Sequence, residues 1–196
     1  MEKNYAGFKY SAWEQVINRY INQAKKQPLH CIDGIAITRN EIKAARELND
    51  TKAEKLYITL LCVAKLKNLR NALNNNWVSE ADTELFKLAN ISSRNILERG
   101  YIFNALYSKG YVSFAARVDN LNTRVEKIYD DECELYITDL RNIGNQYLKH
   151  LGGKYVECSE CGLVVKQSRN GRVKYCSECA KKMDRKKSIQ RYKDKL

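Results

Sequence analysis

Two pairs of cysteines carry the clearest chemistry in this chain: Cys158-Ser-Glu-Cys161 and, fourteen residues later, Cys176-Ser-Glu-Cys179. A CxxC pair folds into a tight knuckle that aims two thiolates at one point, and two such pairs at this separation supply four. Four thiolates in a tetrahedron suit Zn2+, a borderline-soft ion held at about 2.3 Å from sulfur. Iron is chemically compatible with four cysteines, but nothing else in the sequence points to an iron–sulfur role. Duplication of the pair at this spacing argues against unrelated cysteines or a redox couple. With all four positions filled by protein, no place remains for a catalytic water, so one ion in a structural role is expected.

The residues around the cysteines must position them. Gly162 follows the first knuckle, where a positive φ is often required. Leu163-Val164-Val165 has strand composition, Asn170-Gly171 is a hairpin turn signal, and Val173-Lys174-Tyr175 leads into the second knuckle. The expected order is knuckle, hairpin, knuckle, which resembles a zinc ribbon. Such a segment has almost no apolar core of its own, so its order must come from the metal.

The chain of 196 residues carries 35 Lys/Arg against 23 Asp/Glu, a formal net charge of +12. From Lys154 to Leu196 there are thirteen basic and five acidic residues, so +8 of that excess lies in the last 43 residues. It is concentrated beyond the last knuckle, in Lys181, Lys182, Arg185, Lys186, Lys187, Arg191, Lys193 and Lys195. A basic, helix-compatible tail of this kind suits phosphate or an acidic protein surface. Tyr175 and Tyr192 are placed either to stack on unpaired bases or, for Tyr175 above all, to pack on the ribbon.

At 44% hydrophobic residues the chain can bury a core. It has no apolar run of about eighteen residues, so no membrane span or membrane partner is expected. Its start lacks the features of a signal peptide, and Cys31, Cys62 and Cys133 are scattered, which fits a reducing cytoplasm. There is no Gly-rich phosphate loop, no GxSxG and no HExxH, and the run Asp130, Asp131, Glu132, Glu134 reads as a solvated loop. No enzyme is expected.

Helix starts are well marked. Ser11-Ala-Trp-Glu14, Thr38-Arg-Asn-Glu41 and Thr51-Lys-Ala-Glu54 fit the capping box, and Ser79-Glu-Ala-Asp82 is a close variant. A first helix is expected from Ala12 to about Lys25, with Trp13, Val16, Ile17, Tyr20 and Ile21 as a core stripe. Asp33-Gly34 suggests a small hairpin or extended turn. The helix after Thr51 is apolar on nearly every face and should be the buried helix of the core, with Cys62 a buried thiol. Another helix is expected over Leu140–Leu151, closed by Gly152-Gly153, the boundary at which the ribbon could swing. The expected fold is mainly α (α+β), with a helical domain over 1–153 and a zinc ribbon with basic C-terminal helix over 154–196.

Between Trp77 and Tyr129 the pattern runs short helix, turn at Asn90-Ile-Ser-Ser93, second helix, Ser108-Lys-Gly110, then two strands, Tyr111–Val118 and Thr123–Ile128. This resembles a winged helix-turn-helix. The resemblance implies that the second helix enters the major groove with Ser92, Ser93, Arg94, Asn95 and Arg99, and that the wing touches DNA with Arg117, Asn120, Asn122 and Arg124.

Taken whole, the chain resembles the small winged-helix plus zinc-ribbon proteins carried by phages and other mobile elements of low-GC Gram-positive bacteria. The stretch from Leu135-Tyr-Ile-Thr-Asp139 to Leu148, followed by Gly152-Gly-Lys-Tyr-Val-Glu-Cys-Ser-Glu-Cys-Gly162, carries that likeness. That likeness supplies the context of a mobile element; together with the helix-turn-helix pattern and the basic tail it leads to the expectation of a cytoplasmic DNA-binding accessory or regulatory protein, with duplex DNA as partner and a homodimer as one arrangement. A second reading is an anti-defence, anti-CRISPR inhibitor of an RNA-guided nuclease; a third is a polymerase- or ribosome-associated factor.

Overall fold

The computed structural model describes residues 9–26, 32–93, 95–116, 122–168, 171 and 173–193. By contacts the chain divides into two units, Met1–Ile32 and Asp33–Leu196. The first contains α1 (Tyr10–Lys26). Ser11 lies inside its first turn rather than at a cap. The stripe expected as core is largely solvent-facing, with Trp13 54% and Tyr20 59% exposed.

In the second unit the order is β1 (Ile35–Thr38), α2 (Arg39–Glu47), α3 (Thr51–Arg70), β2 (Trp77–Val78), α4 (Asp82–Leu88), α5 (Ile96–Ser108), β3 (Val112–Phe114), β4 (Thr123–Val125), β5 (Cys133–Ile137), α6 (Ile143–His150), β6 (Tyr155–Glu157), β7 (Val164–Lys166) and α7 (Ser177–Lys193). A short 3-10 turn, Ala72–Asn74, follows α3. The architecture is mixed α and β, with seven α-helices among the described residues and three small antiparallel sheets, ordered β1-β5, β2-β4-β3 and β6-β7.

Helix α3 is the centre of this unit. Every residue from Leu56 to Ala64 is buried, Cys62 included, as its all-round apolar sequence requires. Its cap differs from the expected one: Asp50, not Thr51, accepts from the Lys52 and Ala53 amides. Helix α4 likewise has no side-chain cap from Ser79; its N-cap is Ala81. At α2 the capping box forms as read, with Thr38 accepting from the Glu41 amide and the Glu41 carboxylate returning to the Thr38 amide at 2.8 Å.

Residues 32–34 form no hairpin. Strand β1 instead pairs with β5, Ile35 opposite Ile137 and Ile37 opposite Leu135. Asp33-Gly34 therefore leads into a strand whose partner lies about a hundred residues away in the chain.

A polar chain ties α3 to the turn between α4 and α5. Lys55 is 8% exposed, and its ammonium donates to the Asn90 carbonyl at 2.5 Å. Burial, with repulsion from Lys166 adding, lowers its pKa to about 8. Gly144 of α6 makes room for this side chain, since a Cβ there would run into the Ala89 carbonyl oxygen and Lys55 Cε. Gly144→Ala should therefore cost about 1–3 kcal/mol by overpacking, seen as a lower urea midpoint at unchanged slope. A midpoint equal to wild type would show that the turn yields freely.

Candidate metal centre

The four cysteines converge. Their sulfur atoms all lie within 4.8 Å of one another, and Cys161 Sγ stands 3.8 Å from Cys176 Sγ. A tetrahedral ion at about 2.3 Å from each sulfur would space them by about 3.8 Å. Donor type, number and spacing thus fit a thiolate-binding ion such as zinc. Cys158, Cys176 and Cys179 are buried, Cys161 is half-buried, and Leu163, Val165 and Tyr175 pack around them.

Local structure explains the convergence. The first knuckle is the turn of a hairpin: Tyr155 pairs with Lys166 and Glu157 with Val164, so β6 and β7 run into and out of it. Gly162, at φ 72°, closes the turn, its amide donating to the Cys158 carbonyl at 2.8 Å. The second knuckle opens a helix. Cys179 lies in the first turn of α7, and its amide points at Cys176 Sγ at 3.4 Å. The positive end of that helix favours thiolate. Backbone amides, that of Cys176 first, hold the Cys158 thiol below its ordinary pKa, while hydrogen bonding within the cluster, led by Cys176, pushes Cys179 above its own. Without a cation the four thiols cannot all ionise together; a bound divalent ion removes that conflict.

The hairpin expected between the knuckles is displaced. Strand β7 pairs with β6, which precedes the first knuckle, and not with Val173–Tyr175. The latter segment is irregular and is held by the Ser159 amide donating to the Lys174 carbonyl. Asn170 lies outside the described residues. Tyr175 packs against the cysteine cluster, whereas Tyr192 is 66% exposed.

The centre is also anchored on the helical body. Arg141 donates to the Cys161 carbonyl at 2.8 Å, and Asn142 and Asn145 both donate to the Val164 carbonyl. Asn145, 2% exposed, accepts in turn from Asn90. These bonds link the first knuckle to α6 and to the α4–α5 turn.

The residues read from the sequence as nucleic-acid contacts occupy three situations. Around α5, Asn95 is the N-cap, its side chain accepting from the Glu98 amide, and Arg99 is paired with Asp82 at 2.6 Å. Glu98 is bridged to Lys52. Ser93 is within 3.5 Å of Arg99, and Ser92 lines a cleft with Lys52, Lys55 and Tyr155. In β4, Arg124 holds the Asn75 carbonyl and side chain at 3.3 Å and lies 3.7 Å from Glu126. Arg94, Arg117 and Asn120 lie outside the described residues. On α7, by contrast, Lys181, Lys182, Arg185, Lys186, Lys187 and Arg191 are all exposed, and none forms an ion pair among the described residues.

The acidic run that follows β4 is also engaged. Asp131 accepts from the Asn40 amide at the start of α2, Arg39 pairs with Glu132 and Glu134, and His150 faces Glu134 at 3.2 Å. No helix among the described residues is long and apolar enough to cross a membrane. Comparison with known proteins returns no matching family model, no matching curated protein and no matching solved structure.

Proposed function

We propose that this is a zinc-binding, nucleic-acid-binding protein whose main contact is α7, and that its first ligand is duplex DNA, as an accessory or regulatory factor of a phage or mobile element. One observation carries the reading: the basic residues of α7 are exposed and without ion pairs among the described residues, whereas Arg99, Lys52 and Arg124 around α5 and the wing are held by Asp82, Glu98 and Glu126. A phosphate backbone competes poorly for a guanidinium already paired in its own fold. It meets no such competition along α7.

The metal has a definite part in this reading. From Asp184 to Lys193 every residue of α7 is exposed, so tertiary packing does little to hold the helix. A short helix in water is limited by nucleation. Two zinc thiolates, one preceding α7 and one in its first turn, would fix that turn and present the cations along one rod. At 3.6 residues per turn, Lys181, Lys182, Arg185 and Lys186 share one half of it with Tyr192.

We further read Trp77–Tyr129, with the helices α2 and α3 as part of the same core, as a winged helix-turn-helix. Support comes from the succession α3, β2, α4, α5, β3, β4 and from the sheet order β2-β4-β3, which places the two late strands as a hairpin beside α5.

The test is fluorescence anisotropy of labelled duplex DNA with zinc-loaded full-length protein over a range of salt. The triple variant Arg185→Ala/Lys186→Ala/Lys187→Ala should bind more weakly, with a slope of log K against log salt shallower by about 2–3. An unchanged slope and affinity would remove α7 from the interface.

A further inference from the structure

Helix α5 turns an uncharged apolar half to solvent. Ile96 is 69% exposed, Leu97 65%, Tyr101 73% and Tyr107 52%, and the Phe114 ring, stacked on Tyr107 at 5.3 Å, is 44% exposed. At 100° per residue these helical positions share one arc with Gly100, Asn104 and Ala105, while Ile102 and Leu106 face the core. Glu98 and Arg99, the only charged residues of α5, lie off this arc and are bridged to Lys52 and Asp82.

Gly100 lies on that arc, between Tyr107 and Asn104, without an intramolecular reason. Its backbone is not in the left-handed region, and a Cβ there would meet nothing within 4 Å. Glycine weakens a helix interior, so the fold itself would be better served by alanine. What glycine supplies is close approach of a second surface.

We propose that this face of α5 is an isologous interface between two copies of the chain, the two α5 helices crossing antiparallel at Gly100. Three observations select a second copy as the occupant. The first is charge: the chain carries +12, so copies repel each other wherever their surfaces are basic, and α5 offers a neutral patch. The second is shape. With Gly100 set opposite Tyr101 of the partner copy, Leu97 faces Asn104 and Ile96 faces Ala105, a large residue against a smaller one at each step, as a two-fold contact requires. The third is area. At roughly 200 Å² per large side chain, the five exposed groups offer roughly 600 Å², close to the ~800 Å² per partner of a stable interface once Gly100, Asn104 and Ala105 are added.

Such a dimer would carry two α7 rods and would take the outer face of α5 out of any DNA groove, so it extends the α7 part of the nucleic-acid reading without depending on it. Sedimentation velocity of zinc-loaded full-length protein without nucleic acid, over about 1 to about 100 µM, reads it directly. Wild type should show a concentration-dependent dimer. Gly100→Leu and Leu97→Glu should each raise the dissociation constant at least about tenfold. Gly100→Leu should at the same time melt no lower than wild type, which separates lost association from lost folding. A wild type that remains monomeric at the highest concentration overturns the proposal. So does a dimer that survives both α5 variants, or one lost only on Tyr20→Glu in α1.

Discussion

Removing the metal should unfold everything after Gly153 and leave the body around α3 intact. In chelator-treated protein, hydrogen exchange should show loss of protection from β6 through the end of α7, together with loss of the α7 contribution to the circular dichroism. Protection should persist across Leu56–Ala64. The scale is large: structural zinc in small fingers supplies roughly 10–16 kcal/mol of apparent free energy at neutral pH. Cys158, Cys176, Cys179 and the few side chains around them are nearly all the buried material this segment has. Cys176→Ser should reproduce the effect, because it removes one of the four thiolates, even though its hydroxyl can still accept from the Cys179 amide. A smaller effect should reach the body. Asn145 would lose its Val164 acceptor, at a cost of about 1 kcal/mol. Native protection across Cys158–Cys179 in metal-free protein would refute the structural role of the ion.

Glu41→Ala should bring the folded body close to its stability limit. The Glu41 carboxylate is fully buried and receives three groups from three parts of the chain: the Thr38 amide at 2.8 Å, the Lys65 ammonium at 2.6 Å and the Tyr129 amide at 3.1 Å. Lys65 donates as well to the Ala36 carbonyl at 2.8 Å. One side chain thus joins the end of β1, the start of α2, the C-terminal part of α3 and the segment leading to β5. Removing one member of a buried ion pair costs about 3–5 kcal/mol, because the partner charge and the orphaned amides stay behind. Against a typical total of about 5–15 kcal/mol this is between about a fifth and the whole of the margin. Urea unfolding followed by tryptophan fluorescence measures it. Glu41→Gln should lose less, since the amide oxygen still accepts and Lys65, 17% exposed in its side chain, can take up water. A loss below about 1 kcal/mol for Glu41→Ala would mean that the network is dispensable.

Glu41 also marks the line between what was legible locally and what was not. Its capping box with Thr38 follows from spacing alone, because a side chain three residues on must reach the cap amide. Its ties to Lys65 and Tyr129 do not, because they join residues 24 and 88 positions away. The same division runs through the candidate DNA contacts. Arg99 reads as a free cation in the sequence, but the fold sets Asp82 beside it.

What the sequence by itself determined is the chemistry whose geometry is local. The four cysteine ligands were legible because a CxxC knuckle is made within four residues. Burial of α3 was legible because apolar residues surround it, and the basic character of α7 because charge needs no partner to be counted. Tertiary structure alone decided which strands pair. β1 with β5, and β7 with β6 in place of Val173–Tyr175, are choices among segments of similar strand composition. Packing on α3 and α6 settles such choices where local propensity does not. Tertiary structure alone also decided which cations remain available, since an ion pair depends on where distant carboxylates fall. The outcome is that the set of four cysteines was complete in the sequence, whereas only the fold shows that Arg99 and Arg124 are held by carboxylates while the α7 cations, among the described residues, are not.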